Sequence, residues 1–224
     1  MYSLIIFDCD GVLVDSEPLA AAVMMRHLEP LGLAMTAPEI EAAFVGRSMP
    51  DVVATIARLS DRPVPEGWLE DLQRDTFKAF DEALTPVPGI AELLFRLAEA
   101  GLPFCVASSG SPEKIRHSLG LTGLLPFFDG HIFSALDVPR GKPAPDLFLK
   151  AAAEMGAAPE TCAVIEDSLP GVQAAKAAGM TAFGFAPQGN GQSLAAAGAQ
   201  VFHTMNRLWS LLGLDHPDKR QRLV

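Results

Sequence analysis

Leu4-Ile5-Ile6-Phe7-Asp8-Cys9-Asp10-Gly11 decides the fold class. Four apolar residues run without a break and stop at an aspartate and an Asp-Gly turn signal. A run this short, with no polar alternation, predicts a strand covered on both faces. Similar runs recur at residues 103–107, 131–134, 162–165 and 181–185, with a weaker one at 200–202. Helical stretches separate them. Residues 90–100 carry apolar side chains at helical spacing and stop at Gly101. Ser111-Pro112-Glu113 combines an N-cap serine, a first-turn proline and an early acid, predicting a helix that ends at Gly120. Pro145 opens another, ending at Gly156, and a further one follows Pro170 and ends at Gly179. Strand and helix alternate from residue 88 onward, which predicts an α/β fold with a parallel sheet and helices on both faces.

Residues from about 17 to 84 break this rhythm. Helical patterns at 19–31, 38–44, 50–59 and 66–80 follow one another with no strand signal between them. They read as an all-helical insertion after the first strand, and Thr85-Pro86-Val87-Pro88-Gly89 reads as the returning linker. The expected division is therefore a catalytic core of residues 1–16 and 85–224 and a helical cap domain of residues 17–84.

Composition narrows the function class. With 17 basic and 27 acidic residues among 224, the net charge of −10 offers no footprint for nucleic acid or an anionic membrane. Three cysteines, at 9, 105 and 162, are too few and too scattered for a disulfide framework or a zinc site. No apolar run reaches the roughly 20 residues that span a bilayer, and the start of the sequence carries no basic n-region and no long apolar h-region of the kind a signal peptide has. The expectation is a cytoplasmic protein, a monomer or weak homodimer.

Chemistry gathers at the predicted strand ends. Asp8 and Asp10 follow the first strand, Ser108 the second, Lys142 lies beyond the third, and Glu166 and Asp167 close the fourth. In an open parallel sheet the carboxyl ends of the strands line the ligand crevice, so these groups converge. Each alone has a bland reading: a turn, a strand-end hydroxyl, a solvated loop lysine, a helix-leading acidic pair. All of them in order at successive strand ends is a different matter. Up to four carboxylates against one lysine suit Mg²⁺, which neutralises them and lets an anionic phosphate approach. Asp8, rigidly held at its strand end, is the expected nucleophile. Asp10 is the expected acid and base. Ser108, with the N–H groups of Ser109 and Gly110, is expected to hold phosphate oxygens near a helix N-terminus. Lys142 is expected to offer charge to phosphate and nucleophile, and Asp167 with Glu166 to anchor the metal.

Phe7-Asp8-Cys9-Asp10-Gly11-Val12-Leu13-Val14-Asp15-Ser16-Glu17, Ala107-Ser108-Ser109-Gly110, Gly141-Lys142-Pro143-Ala144-Pro145-Asp146 and Glu166-Asp167-Ser168 together resemble the haloacid dehalogenase superfamily, in its phosphatase branch. The resemblance implies a Rossmann-like, doubly wound core with a helical cap. It implies Mg²⁺ held by Asp8, the backbone carbonyl of Asp10, and Asp167, and hydrolysis of a small phosphorylated metabolite through an aspartyl phosphate. Within the family the chain is similar to sugar-phosphate phosphatases and β-phosphoglucomutases. Asp10, which dehalogenases lack, points to C–O–P chemistry. Ala20 stands where the mutases carry a histidine, so hydrolysis is expected over phosphosugar mutation. A receiver domain, which also phosphorylates an aspartate, is about half as long and places that aspartate on a later strand. A silent binding module has no need of Asp10. On the cap side, Arg47, in Gly46-Arg47-Ser48 between two helical stretches, and Glu17, at the first hinge, are expected to face the substrate. The Lys142–Pro143 bond is expected to be cis.

Overall fold

The computed structural model describes residues 2–44, 49–189 and 191–214. Six strands form one parallel sheet: β1 (Leu4–Phe7), β2 (Phe104–Ser108), β3 (Ile132–Ser134), β4 (Cys162–Glu166), β5 (Thr181–Phe185) and β6 (Gln200–Phe202), in the order β3-β2-β1-β4-β5-β6. β1 lies between β2 and β4, with Ile5 opposite Phe104 and Ala163. The doubly wound α/β architecture is the expected one.

The helices outside the insertion are α5 (Ile90–Glu99), α6 (Pro112–Leu121), α7 (Asp146–Glu154), α8 (Leu169–Ala177), α9 (Gln192–Ala196) and α10 (Met205–Leu211), and those within it are α1 (Glu17–Leu28), α2 (Ala37–Phe44), α3 (Met49–Leu59) and α4 (Trp68–Ala83). Side chains alternate across β1 although its sequence does not alternate in polarity. Ile5 and Phe7 enter a core with Leu94 and Leu97 of α5, Ile115 of α6 and Leu208 of α10. Leu4 and Ile6 enter the opposite core, with Leu147 and Phe148 of α7 and Val172 of α8. All four are fully buried. Burial contributes about 1.5–3 kcal/mol per side chain relative to exposure, so Asp8 hangs from a firmly held strand.

α1 to α4 enclose a third cluster that includes Val23, Leu28, Phe44, Ile56 and Trp68. α4 does not belong to it alone, because its C-terminal Phe80 joins the core under the sheet. The chain leaves and re-enters the sheet region side by side: Asp15 N–H donates to Thr85 O at 2.9 Å and Val87 N–H to Leu13 O at 3.0 Å.

Several helix ends differ from expectation for local reasons. α1 stops at Leu28 and gives way to a single 3₁₀ turn, Glu29–Leu31, because Pro30 has no N–H to continue the ladder. α6 continues past Gly120 to Leu121 and closes at Gly123, whose φ of +72° lets Leu124 N–H reach Leu119 O at 2.8 Å. α7 and α8 keep the expected places, and Lys142–Pro143 is cis. All three cysteines are buried and free. No described helix is long and apolar enough to cross a membrane.

Candidate active site

Strand geometry carries Asp8 directly off the central strand, where its N–H donates to Ile165 O at 3.0 Å. The loop after β3 brings in Lys142, only 4% exposed. Its ammonium donates to Asp8 Oδ1 at 2.9 Å, to Glu166 Oε1 at 2.5 Å and to Ala107 O at 3.1 Å. Three strands, β1, β2 and β4, thus meet at one nitrogen. Glu166 is fully buried, and its second oxygen accepts from Ser168 N–H at 3.1 Å and Ser168 O–H at 2.8 Å. Ser168 Oγ in turn accepts from Gly171 N–H at 3.1 Å, which caps α8. Gly171 is there because a Cβ would fall 1.9 Å from the Glu166 carboxyl carbon.

Asp8, Glu166 and Asp167 each offer a carboxylate oxygen within 4.8 Å of the others. Burial raises the Asp8 carboxyl to about 7; Lys142 opposes the rise, and Glu166 and Asp10 add to it. Burial also pushes Asp167 well above the usual carboxylate range, reinforced by the charges of Glu166 and Asp8. One lysine is too little positive charge for this trio, and hard oxygen donors short of charge suit a divalent cation such as Mg²⁺. Both Glu166 oxygens already accept from Lys142 and Ser168, so Asp8 and Asp167 are the carboxylates better placed to receive it. Gly11 keeps that space open: at φ +73°, a Cβ there would lie 1.9 Å from Asp167 Oδ2.

Asp10 belongs to a second, neighbouring pair. Ser16 O–H donates to its Oδ1 at 2.8 Å and Lys114 Nζ to its Oδ2 at 2.6 Å. Burial opposes its charge, but Lys114 and the two donated hydrogen bonds outweigh burial and hold its carboxyl below the usual range. Sequence reasoning missed both Ser16 and Lys114. Lys114 sits in the first turn of the helix that follows β2 after a loop of three residues, and that placement was the available signal.

Ser108 is buried at the end of β2, and its Oγ accepts from Gly110 N–H at 3.1 Å. Ser134 O–H fixes the same loop by donating to Gly110 O at 2.7 Å. Ser109 is exposed at the head of this loop. Glu17, half-buried at the start of α1, lies close enough for its charge to raise both Lys114 and Asp167. Arg47 lies outside the described residues. The structure therefore brings Asp8, Asp10, Lys142, Glu166 and Asp167 to one end of the sheet, with Ser108 and Glu17 beside them.

The profile of haloacid dehalogenase-like hydrolases matches residues 2–179. The chain is 28% identical to the 6-phosphogluconate phosphatase of Escherichia coli over 215 residues, covering 94% of this chain and 96% of that one. It is 33% identical to hexitol phosphatase A of the same organism over 188 residues, covering 78% of each. A solved haloacid dehalogenase family hydrolase from Deinococcus radiodurans, with bound phosphate and sodium, superposes with a TM-score of 0.82 at 34% identity, over 95% of this chain and 97% of that one.

Proposed function

The chain belongs to the haloacid dehalogenase-like hydrolases, and we propose that it is a phosphatase in which Asp8 attacks the phosphorus of a small phosphorylated metabolite. The observation that carries this reading is the Lys142 ammonium shared by Asp8 and Glu166 at the end of the central strand. It holds Asp8 in place and supplies charge where phosphoryl oxygens must sit. In the first step an Asp8 oxygen bonds to phosphorus as the P–O bond to the leaving oxygen breaks. Asp10 gives that oxygen its proton; because Lys114 and Ser16 favour its carboxylate form, this step draws on the protonated minority of Asp10. In the second step water attacks phosphorus, the bond to Asp8 breaks with its electron pair returning to Asp8, and the proton of the water passes to Asp10. The cycle then closes with every proton accounted for. Ser108 and the N–H groups of Ser109 and Gly110 hold phosphoryl oxygens at the head of α6. Mg²⁺ held by Asp8, Asp167 and the backbone carbonyl of Asp10 would screen the repulsion between carboxylates and phosphate.

Residues 17–84 are the cap in this reading, and 1–16 with 85–224 the core. Glu17 and Arg47 are its candidate substrate contacts. The similarity to phosphatases of 6-phosphogluconate and hexitol phosphates supports a sugar phosphate or similar phosphomonoester. Buried free thiols suit a reducing, cytoplasmic setting. We take the enzyme to act as a monomer or weak homodimer.

The test is phosphate release from a panel of sugar and polyol phosphates with Mg²⁺, repeated with EDTA and with Asp8→Asn. Release that EDTA and Asp8→Asn both abolish is expected. Turnover by Asp8→Asn at the wild-type rate would refute the assignment. Conversion of a hexose 1-phosphate to its 6-phosphate, with no free phosphate, would point to a mutase instead.

A further inference from the structure

Among the described residues Lys114 is the cation in hydrogen-bond contact with Asp10, and the mechanism above gives it nothing to do. Its own N–H donates to Ser111 Oγ at 3.2 Å, which fixes its backbone in the first turn of α6. Its ammonium lies 5.6 Å over the Phe80 ring of α4, so the side chain spans from the sheet's catalytic end to the helical insertion. It is only 30% exposed, unlike an ordinary surface lysine. The carboxylate of Asp10 is consequently gripped at both oxygens, by Ser16 on one and Lys114 on the other. A carboxylate has about four lone-pair positions, so each oxygen keeps one free for a leaving oxygen or a water.

We propose that Lys114 is a positioning residue for the second half-reaction, fixing the Asp10 carboxylate where it takes the proton of the attacking water. The inference rests on the phosphatase reading. In the step concerned, the O–H bond of the water breaks toward Asp10, the new P–O bond forms, and the P–O bond to Asp8 breaks with its pair returning to Asp8. Without Lys114, the Ser16 hydroxyl is the remaining side-chain hydrogen bond to Asp10 among the described residues, and the carboxylate can turn about its side-chain torsions. Misplacement of a reacting group by about 1 Å costs on the order of 100-fold in rate. The first half-reaction need not suffer when the leaving group departs without a proton.

That difference gives the test. Lys114→Met keeps an unbranched stem against Phe80 and removes the ammonium. With p-nitrophenyl phosphate, kcat/KM reports phosphoenzyme formation, and kcat reports its hydrolysis once that is the slower step. Lys114→Met is expected to lower kcat and KM together by about tenfold or more, with kcat/KM within about twofold of wild type. A stoichiometric burst of p-nitrophenolate should appear in stopped flow. Lys114→Arg should recover much of kcat, and it serves with Lys114→Gln if the methionine variant does not fold. Loss of kcat/KM in step with kcat and without a burst, or an unchanged kcat, overturns the proposal. If the wild-type chain releases no phosphate, the phosphatase reading itself fails. If it does and the variants behave like wild type, only the role of Lys114 fails.

Discussion

Two glycine-to-alanine substitutions, both in helices, should move stability in opposite directions. Gly171 lies in the first turn of α8 with no left-handed backbone, so alanine there gains about 1 kcal/mol of helix propensity. Its Cβ, however, would fall 1.9 Å from the carboxyl carbon and Oε1 of Glu166, and 2.2 Å from Oε2. Glu166 is fully buried and cannot swing aside without abandoning Lys142 and Ser168. Breaking a buried charged pair costs about 3–5 kcal/mol. The loss therefore wins, and Gly171→Ala should be destabilised by about 2–4 kcal/mol, on the order of 10 °C in Tm for a chain of this size. Gly120 in α6 is exposed, and a Cβ there meets nothing within 4 Å. Gly120→Ala should gain about 0.5–1 kcal/mol. Urea unfolding of both variants by circular dichroism, alongside phosphate release, gives the comparison. Gly171→Ala should lose activity because Lys142 loses an anchor, and Gly120→Ala should keep it. Equal stability of Gly171→Ala and wild type, or shifts of the same sign in both variants, would refute the crowding argument.

Lys142→Met strands the carboxylates of Asp8 and Glu166 and should cost about 3–5 kcal/mol in urea unfolding and at least about 100-fold in phosphate release; wild-type turnover by this variant would contradict its role. In the metal-free protein the Asp8 carboxyl is raised from 3.8 to about 7, so the folded chain binds the proton more tightly than the unfolded one. The stability from this group is full below about pH 4 and is lost as pH rises through about 7. Mg²⁺ competes with that proton, and its thermal stabilisation should be larger at about pH 8 than at about pH 5; an equal shift at both would show that the ion binds elsewhere.

The sheet was legible because its strands are short apolar runs that end at punctuating polar residues, as Phe7-Asp8 and Ile165-Glu166 do. β5 and β6 have the expected ends. The two small closing helices, α9 and α10, escaped notice: α9 has five residues and α10 seven, too short for a helical period to stand out. A glycine's type alone does not mark a helix stop. Gly120 continues its helix and Gly123 closes it, because only Gly123 has the left-handed φ that the closing bond needs. At the site, the groups on strand ends were readable because chain order gives their place. Ser16 and Lys114 were not, because their importance comes from reaching Asp10 across 6 and 104 residues of chain. The engagement of both Glu166 oxygens is likewise a matter of side-chain direction, which no spacing rule reports.

The central position of β1 has a consequence for the order in which the molecule assembles. β1 is made before the other described strands, yet its partners lie at Phe104–Val106 on one side and Cys162–Ile165 on the other. Such distant pairings close large loops and form slowly. The helical segment between them needs only local contacts and has its own apolar cluster, so it can condense while the sheet is still waiting. Asp8 thus leaves the ribosome well before either neighbour of its strand, and it is fixed in place only once the chain has been made as far as Glu166.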